Sequence, residues 1–341
     1  MVSGALLLGI AIDPIHTGAG RFYSVVDLPI QRDALGYPLA FASSVKGALK
    51  SLCARRNRCV KSNTEGRLAC SDSKECKICC CLFGPEPGEG DKGAGKISVL
   101  DLIPFALPAP SSDLGYVYIT SSVLLSRIYL ALEALTFTQG TQSSGSQESE
   151  ASYINYFKNF IEDLYKKSLT LKSGECLALG DAASRDRVAI GTSFLKVVSG
   201  RGKEGKQGDY TQYVNSIFED LGGLARNLPN RLVVVSGNDG ATLIERALIR
   251  LTRVSLKQDT KTVKAGPWTE EYLPYGTVFV SGLVVLPFTN EYCRDVVGDD
   301  PKEVMEKLVS TVFGAQQRKV FYVVVGGKET IGKGLIKFRM Y

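Results

Sequence analysis

The chain has a single histidine, His16, among 341 residues. Ribonuclease chemistry that uses one imidazole as base and another as acid therefore cannot occur within one copy. Any phosphodiester cleavage must rest on carboxylate, metal, lysine or tyrosine. A membrane span is missing too. The opening MVSGALLLGIAIDP carries no basic leader and stops at Asp13-Pro14, after about ten apolar residues where about twenty are needed. It predicts a buried first strand and a cytoplasmic protein. A complete phosphate loop is also absent: Gly327 to Lys333 fits G-x-x-x-x-G-K, but Gly334 replaces the metal-binding Ser or Thr, and the seven residues that follow cannot supply a helix. That excludes the usual NTPase chemistry.

What is present is a chain with 44% apolar residues, enough for a packed core, and a formal charge of +6, which permits a nucleic-acid partner without requiring one. Periodicity predicts strands at 3–12, 97–105, 116–120, 276–286 and 320–325. It predicts helices at 44–56, 123–135, 154–167, 210–221, 241–251 and 301–313. The first strand and helix, the strand at 97 and the last three elements follow β-α-β-β-α-β order. The predicted class is α+β, with a ferredoxin-like, RRM-type core interrupted by long insertions at about 57–96 and 136–275. No internal repeat is visible, and one elaborated domain over 1–341 is the expectation. The polar TQGTQSSGSQESE run has too little apolar content to pack.

Five stretches carry chemistry. Asp27 lies in a polar loop beside Gln31 and Arg32; a lone loop aspartate is usually a turn or cap residue, and here it is also a candidate catalytic carboxylate. Ser43, Ser44, Lys46 and Gly47 open a helix whose unpaired N–H groups suit phosphate. The tail GGKETIGKG offers Gly327, Gly332 and Gly334 for close backbone approach to RNA, with Lys328, Lys333 and Lys337 adding charge; a flexible hairpin connection is the alternative. The segment 253–274 interleaves Lys257, Thr260, Lys261, Thr262 and Lys264 with the only tryptophan, Trp268, as a strand tracking a nucleic-acid backbone would; an ordinary surface hairpin is the alternative. The nine cysteines are uneven, five lying between Cys70 and Cys81. Cys70, Cys76, Cys79 and one of Cys80 or Cys81, taken as Cys81, form a candidate structural zinc set, with disulfides or reduced thiols as alternatives.

The DLPIQRD run, the SSVKGALK helix start, TKTVKAGPWTEEYLP and GGKETIGKG together resemble the backbone nuclease subunits of Cmr (type III-B) CRISPR effector complexes, within the RAMP superfamily of RNA-binding proteins. The resemblance runs from near Gly9 to Phe338. It implies a subunit that polymerises along a CRISPR guide RNA beside other Cmr subunits and cuts complementary target RNA with a divalent metal, Mg or Mn. On the resemblance Asp27 is the catalytic aspartate, with Glu270 and Tyr272 as helpers. His16, Arg32, Ser43, Ser44, Lys46 and the tail glycines would contact RNA, although His16 could equally be a hydrogen-bonded turn residue. The segment 253–274 would be a thumb hairpin that wedges into the guide–target duplex.

Overall fold

The first strand, GALLLGIA, is buried on both faces because it lies inside a sheet covered on both sides. The computed structural model describes residues 4–21, 25–60, 70, 73–86, 93–139, 150–198, 211–287, 291–314 and 319–341. In chain order the elements are β1 (Gly4–Ala11), α1 (Ala42–Arg56), α2 (Lys74–Phe83), β2 (Ile97–Val99), β3 (Ile103–Ser111), β4 (Gly115–Ser121), α3 (Ser122–Gln139), α4 (Glu150–Ser168), β5 (Glu175–Ala178), β6 (Arg187–Ile190) and β7 (Ser193–Val197). They continue with α5 (Thr211–Leu221), α6 (Leu228–Arg231), β8 (Leu232–Val235), α7 (Gly237–Ala247), β9 (Ile249–Leu256), β10 (Val263–Tyr272), β11 (Val278–Val285), α8 (Glu291–Val297), α9 (Pro301–Leu308), β12 (Val320–Val324) and β13 (Leu335–Met340).

One mixed sheet of eleven strands runs β12-β13-β1-β11-β3-β4-β8-β5-β7-β6, with β2 also paired to β11. Around β1 the pairs with β11 and β13 are antiparallel, as is β11 with β2. Gly9 is required here: a Cβ would stand 2.7 Å from the ring of Phe338 on β13. The strand predicted at 320–325 is therefore the sheet edge, and the last seven residues supply the strand beside β1. Much of the region expected as an insertion, 136–275, is built into the same sheet, because β5 to β8 extend it beyond β4. Those strands are only four or five residues long, too short to show periodicity. An aromatic cluster of Phe105, Phe157, Phe160 and Phe218 packs α4 and α5 on β3.

The helix predicted at 241–251 begins four residues earlier, where Ser236 caps it by accepting from the Asp239 N–H. It ends at Ala247, which releases Ile249 onward as β9. β9 and β10 form a separate two-stranded hairpin whose tip is exposed. In the predicted 301–313 helix, the last turn, Val309–Phe313, widens to π geometry.

The zinc reading is corrected. Cys53 pairs with Cys79, Cys59 with Cys76, Cys70 with Cys80 and Cys81 with Cys293. Each of the four proposed ligands is thus bonded to a different partner, so no tetrathiolate forms. The bridges tie the ten-residue α2 to α1, to the segment between them and to α8. So short a helix is marginal alone, and these covalent ties hold it where burial of its apolar side continues them.

Denatured without reductant, the protein is expected to present one thiol to a thiol reagent, that of buried Cys176. Removing the bridge that spans 212 residues by Cys293→Ser should cost about 2–4 kcal/mol, because the unfolded chain regains entropy. A chelator should leave the melting temperature unchanged. Nine reactive thiols with about one bound zinc per chain would restore the metal reading.

Candidate active site

The DLPIQRD loop is extended by its proline and bends at Asp33, whose Oδ1 accepts from the backbone N–H of Leu35 and Tyr37, both at 2.9 Å. Its first part runs parallel to the base of β10: Leu28 N–H donates to the Thr269 carbonyl (3.0 Å) and Glu271 N–H to the Leu28 carbonyl (3.1 Å). Half-buried Asp27 accepts from the Thr269 N–H through Oδ2 at 2.8 Å. One oxygen of the candidate catalytic carboxylate is therefore held by the hairpin, and the other has no partner among the described residues.

Two neighbouring acids on β10 organise the hairpin base. Glu270, at 0% exposure, accepts from Lys328 Nζ (2.5 Å), Trp268 Nε1 (2.7 Å), Arg253 Nη1 (3.3 Å) and the Tyr272 hydroxyl. Burial alone would raise its pKa, but Lys328, Tyr272, Trp268 and Arg253 more than offset that and bring it down to about 2. Burial, then Glu270, pushes Tyr272 up to about 12. Both side chains are enclosed and hydrogen-bonded to each other, an arrangement that holds the hairpin base.

Glu271 points to the other face and is 1% exposed. It accepts from Arg32 Nη2 (2.8 Å), Arg250 Nη2 (3.1 Å) and the Ile30 N–H (3.3 Å). Glu245 closes the network by pairing with Arg32 (2.5 Å) and Arg250. Buried His16 donates from Nδ1 to the Glu271 carbonyl at 2.8 Å and lies against Tyr272. Arg32 and His16, expected on RNA, are thus engaged within the fold: a buried carboxylate claims one, a backbone carbonyl the other.

The phosphate cradle at α1 is likewise part-filled. Gln31 Oε1 accepts from the Phe41 N–H and Asp101 Oδ1 from the Ala42 N–H, both at 2.8 Å, and Gln31 Nε2 donates to Ser44 Oγ at 3.2 Å. The first amides and Ser44 are therefore occupied, while Ser43 and Gly47 remain exposed. Half-buried Lys46 makes no ion pair among the described residues; burial, then neighbouring Lys50, lowers its pKa. Ser44, Gly47 and Ser51 on α1, with Tyr322 and Gly326 opposite, line a cleft of about 440 Å³.

The tail glycines divide in two. Gly327 and Gly332 face open space, as close approach by a backbone requires. Gly334, by contrast, is a packing residue, since a Cβ there would meet the Val325 carbonyl at 2.7 Å. Lys333 stands over the Tyr272 ring at 5.7 Å. Lys337, expected to face RNA, donates instead to the Asp220 and Leu221 carbonyls at 2.9 and 2.8 Å, at the end of α5. On the hairpin, Lys257, Thr260, Lys261, Thr262 and Lys264 are exposed and Trp268 is half-buried.

The sequence profile of the RAMP superfamily matches residues 10–337. The chain belongs to the RAMP superfamily. It is 27% identical over 337 residues to the CRISPR system CMR subunit Cmr4 of Saccharolobus solfataricus, covering 96% of this chain and 94% of that protein. It is 26% identical over 337 residues to the CRISPR system Cmr endoribonuclease Cmr4 of Pyrococcus furiosus, covering 98% and 94%. Its fold resembles a chain of the type III-B Cmr-beta assembly bound to cognate target RNA, with a TM-score of 0.68 at 24% identity over 99% of this chain and 96% of that one. Among the described residues no helix is long and apolar enough to cross a membrane.

Sequence reasoning missed Arg253, Arg250, Glu245, Glu271 and Asp101. The signal available was two adjacent acids between Trp268 and Tyr272 near the end of β10, since buried acids demand cationic partners. Glu270 has a folded pKa near 2 against an ordinary value of 4.5. Its stabilising contribution is present above pH 4.5 and lost as pH falls towards 2. Thermal melts between pH 5 and about 2 should therefore show a steeper acid loss in the native protein than in Glu270→Gln, which starts less stable; parallel profiles would mean Glu270 is not ionised in the fold.

Proposed function

We propose that this chain is the guide-RNA-binding backbone subunit of a type III-B Cmr effector complex and cuts complementary target RNA. The observation that carries this reading is Asp27, presented half-exposed on a rigid loop that pairs with the base of an exposed hairpin. Full-length similarity to a protein named an endoribonuclease supports it. The strand order β13-β1-β11-β2 supports a ferredoxin-like core, with the other strands and the hairpin as elaborations of one domain. Partners would be guide RNA, target RNA, further copies of the chain and other Cmr subunits.

In this reading the hairpin splays a target nucleotide and its 2′-hydroxyl attacks in line, a geometry that a regular A-form duplex does not offer. Asp27 acts as base or metal ligand. Among the described residues no group of three or more His, Cys, Asp or Glu side chains is arranged to hold an ion. A magnesium or manganese ion suits such a site nonetheless, because Mg²⁺ often takes one carboxylate plus substrate phosphates. The free oxygen of Asp27 would hold it, and the ion would neutralise developing charge. Among the described residues, Gly327, Gly332, Ser43, Gly47, Lys46 and Lys333 are available for guide contact.

In the assembled complex, Asp27→Asn should lower single-turnover cleavage of labelled target by roughly two or more orders of magnitude while target affinity and melting temperature stay near native values. Normal cleavage by stable Asp27→Asn complex would falsify the catalytic assignment and leave an RNA-binding scaffold. Separately, replacing Lys46 and Lys333 with alanine should weaken guide binding and lower its salt slope by about one to two, one counterion per lost phosphate contact. An unchanged slope would remove both residues from the interface.

A further inference from the structure

A lysine in a glycine-rich loop of an RNA-binding protein is expected on phosphate, yet Lys328 turns inward. Its loop is fastened at three points. Gly327 N–H donates to the His16 carbonyl (2.9 Å) and Gly334 N–H to the Pro14 carbonyl (3.0 Å). Glu329 takes a two-point bond from Arg55 at the end of α1, at 2.6 and 3.2 Å. Gly326 allows this packing, since a Cβ would fall 2.2 Å from the His16 carbonyl oxygen. Lys328 itself is left-handed, φ 71°, a conformation that costs a lysine about 1 kcal/mol or more unless neighbouring contacts enforce it.

From that position Nζ reaches Glu270 Oε1, the oxygen that also receives Trp268 Nε1. The other donors to Glu270, Trp268, Tyr272 and Arg253, all lie on β9 or β10 and move with the hairpin. Among the described residues, Lys328 is the one donor to Glu270 that comes from outside it. Among the described residues, the Trp268 indole is therefore oriented by a carboxylate whose one side-chain donor from outside the hairpin is Lys328. The next residue, Thr269, supplies the N–H on which Asp27 rests.

We propose that Lys328 is a positioning residue for cleavage: it locks the glycine-rich loop to Glu270 and so sets the hairpin base, the Trp268 indole and the support of Asp27. The inference rests on the nuclease reading of Asp27 but is separable from it. Arg253 cannot substitute, because its pair with Glu270 stays within the hairpin and fixes nothing relative to α1 or the tail.

The test uses the full chain, free and assembled with guide, in Lys328→Met, Lys328→Gln and Lys328→Arg. Trp268, the only tryptophan, reports the contact directly. Lys328→Met should shift Trp268 emission and raise its quenching by acrylamide. It should also slow single-turnover cleavage roughly ten- to a hundredfold, with guide affinity and its salt slope unchanged. Lys328→Arg should restore both, and Lys328→Gln, which keeps a donor but no charge, should fall between and serves if the Met variant does not fold. A salt slope reduced by about one, with cleavage falling only as binding falls, would make Lys328 a phosphate contact and overturn the proposal. So would native cleavage in Lys328→Met, or unaltered Trp268 emission. If wild-type complex fails to cleave, the nuclease reading fails, while the emission data still decide whether Lys328 holds the indole.

Discussion

Two adjacent buried carboxylates, Glu270 and Glu271, are the constraint on which the arrangement of the site depends. They are successive residues of one strand, so they project to opposite faces. An ionised carboxylate out of water is tolerated only if cations and donors surround it. Each face must therefore recruit basic groups from whatever packs there. Glu270 draws Lys328 from the tail loop and Arg253 from the facing strand; Glu271 draws Arg32 from the DLPIQRD loop and Arg250 from β9. The hairpin is clamped from both sides, and Asp27 is carried into place because its loop is one jaw of that clamp. Removing one cation leaves a buried carboxylate less compensated, a loss that the partial exposure of the cations screens, and the four cations are not interchangeable with solvent-facing lysines.

The same demand reshapes any argument from charge. A net +6 looks like an RNA-binding surplus, but several of the motif cations are already committed. Arg32 and Lys328 neutralise the buried acids. Lys337 caps α5, Lys50 bonds the Pro85 carbonyl and Glu86, and Arg127 joins Asp33 to Asp101. Among the described residues near the site, those that make no ion pair include Lys46, Lys333 and the exposed lysines of the hairpin. Subtracting paired charge, rather than counting charge, locates the surface on which a polyanion can release counterions.

This also explains what the sequence could and could not show. The first strand, α1 with Val45, Leu49 and Cys53 inward and the loop character of Asp27 were legible because each follows from local periodicity or turn chemistry, whereas the hairpin was legible through the family resemblance and its interleaved basic and aromatic residues. The commitments of Arg32, His16 and the α1 N-terminus were not, since their partners lie far off in the chain: Glu271 is 239 residues from Arg32, and Asp101 is 59 from Ala42. The SSVKG start looks like an anion site because its amides are free in isolation, and only the fold brings Asp101 to them. The cysteines follow the same logic. A C-x-x-C suggests a local metal knot, but Cys81 finds Cys293 on another helix, a pairing that no spacing rule reaches.

Helix α1 is the element through which these contacts close into a ring. Its start is held by Gln31, on the loop that presents Asp27, and its end by Arg55 on Glu329, beside Lys328. Both of those loops meet again at Glu270, one by backbone pairing at Leu28 and the other by Lys328. The cleft lined by Ser44, Gly47 and Ser51 is therefore mechanically continuous with the hairpin base, although the two are built from opposite ends of the chain. The links are unequal. Arg55 and Glu329 are both exposed, and an exposed pair contributes about 1 kcal/mol at most, whereas the Lys328–Glu270 contact ends on a fully buried carboxylate. A strain applied to the ring, such as a strand of RNA drawn into the cleft, would open it at Arg55–Glu329 and leave the hairpin base intact.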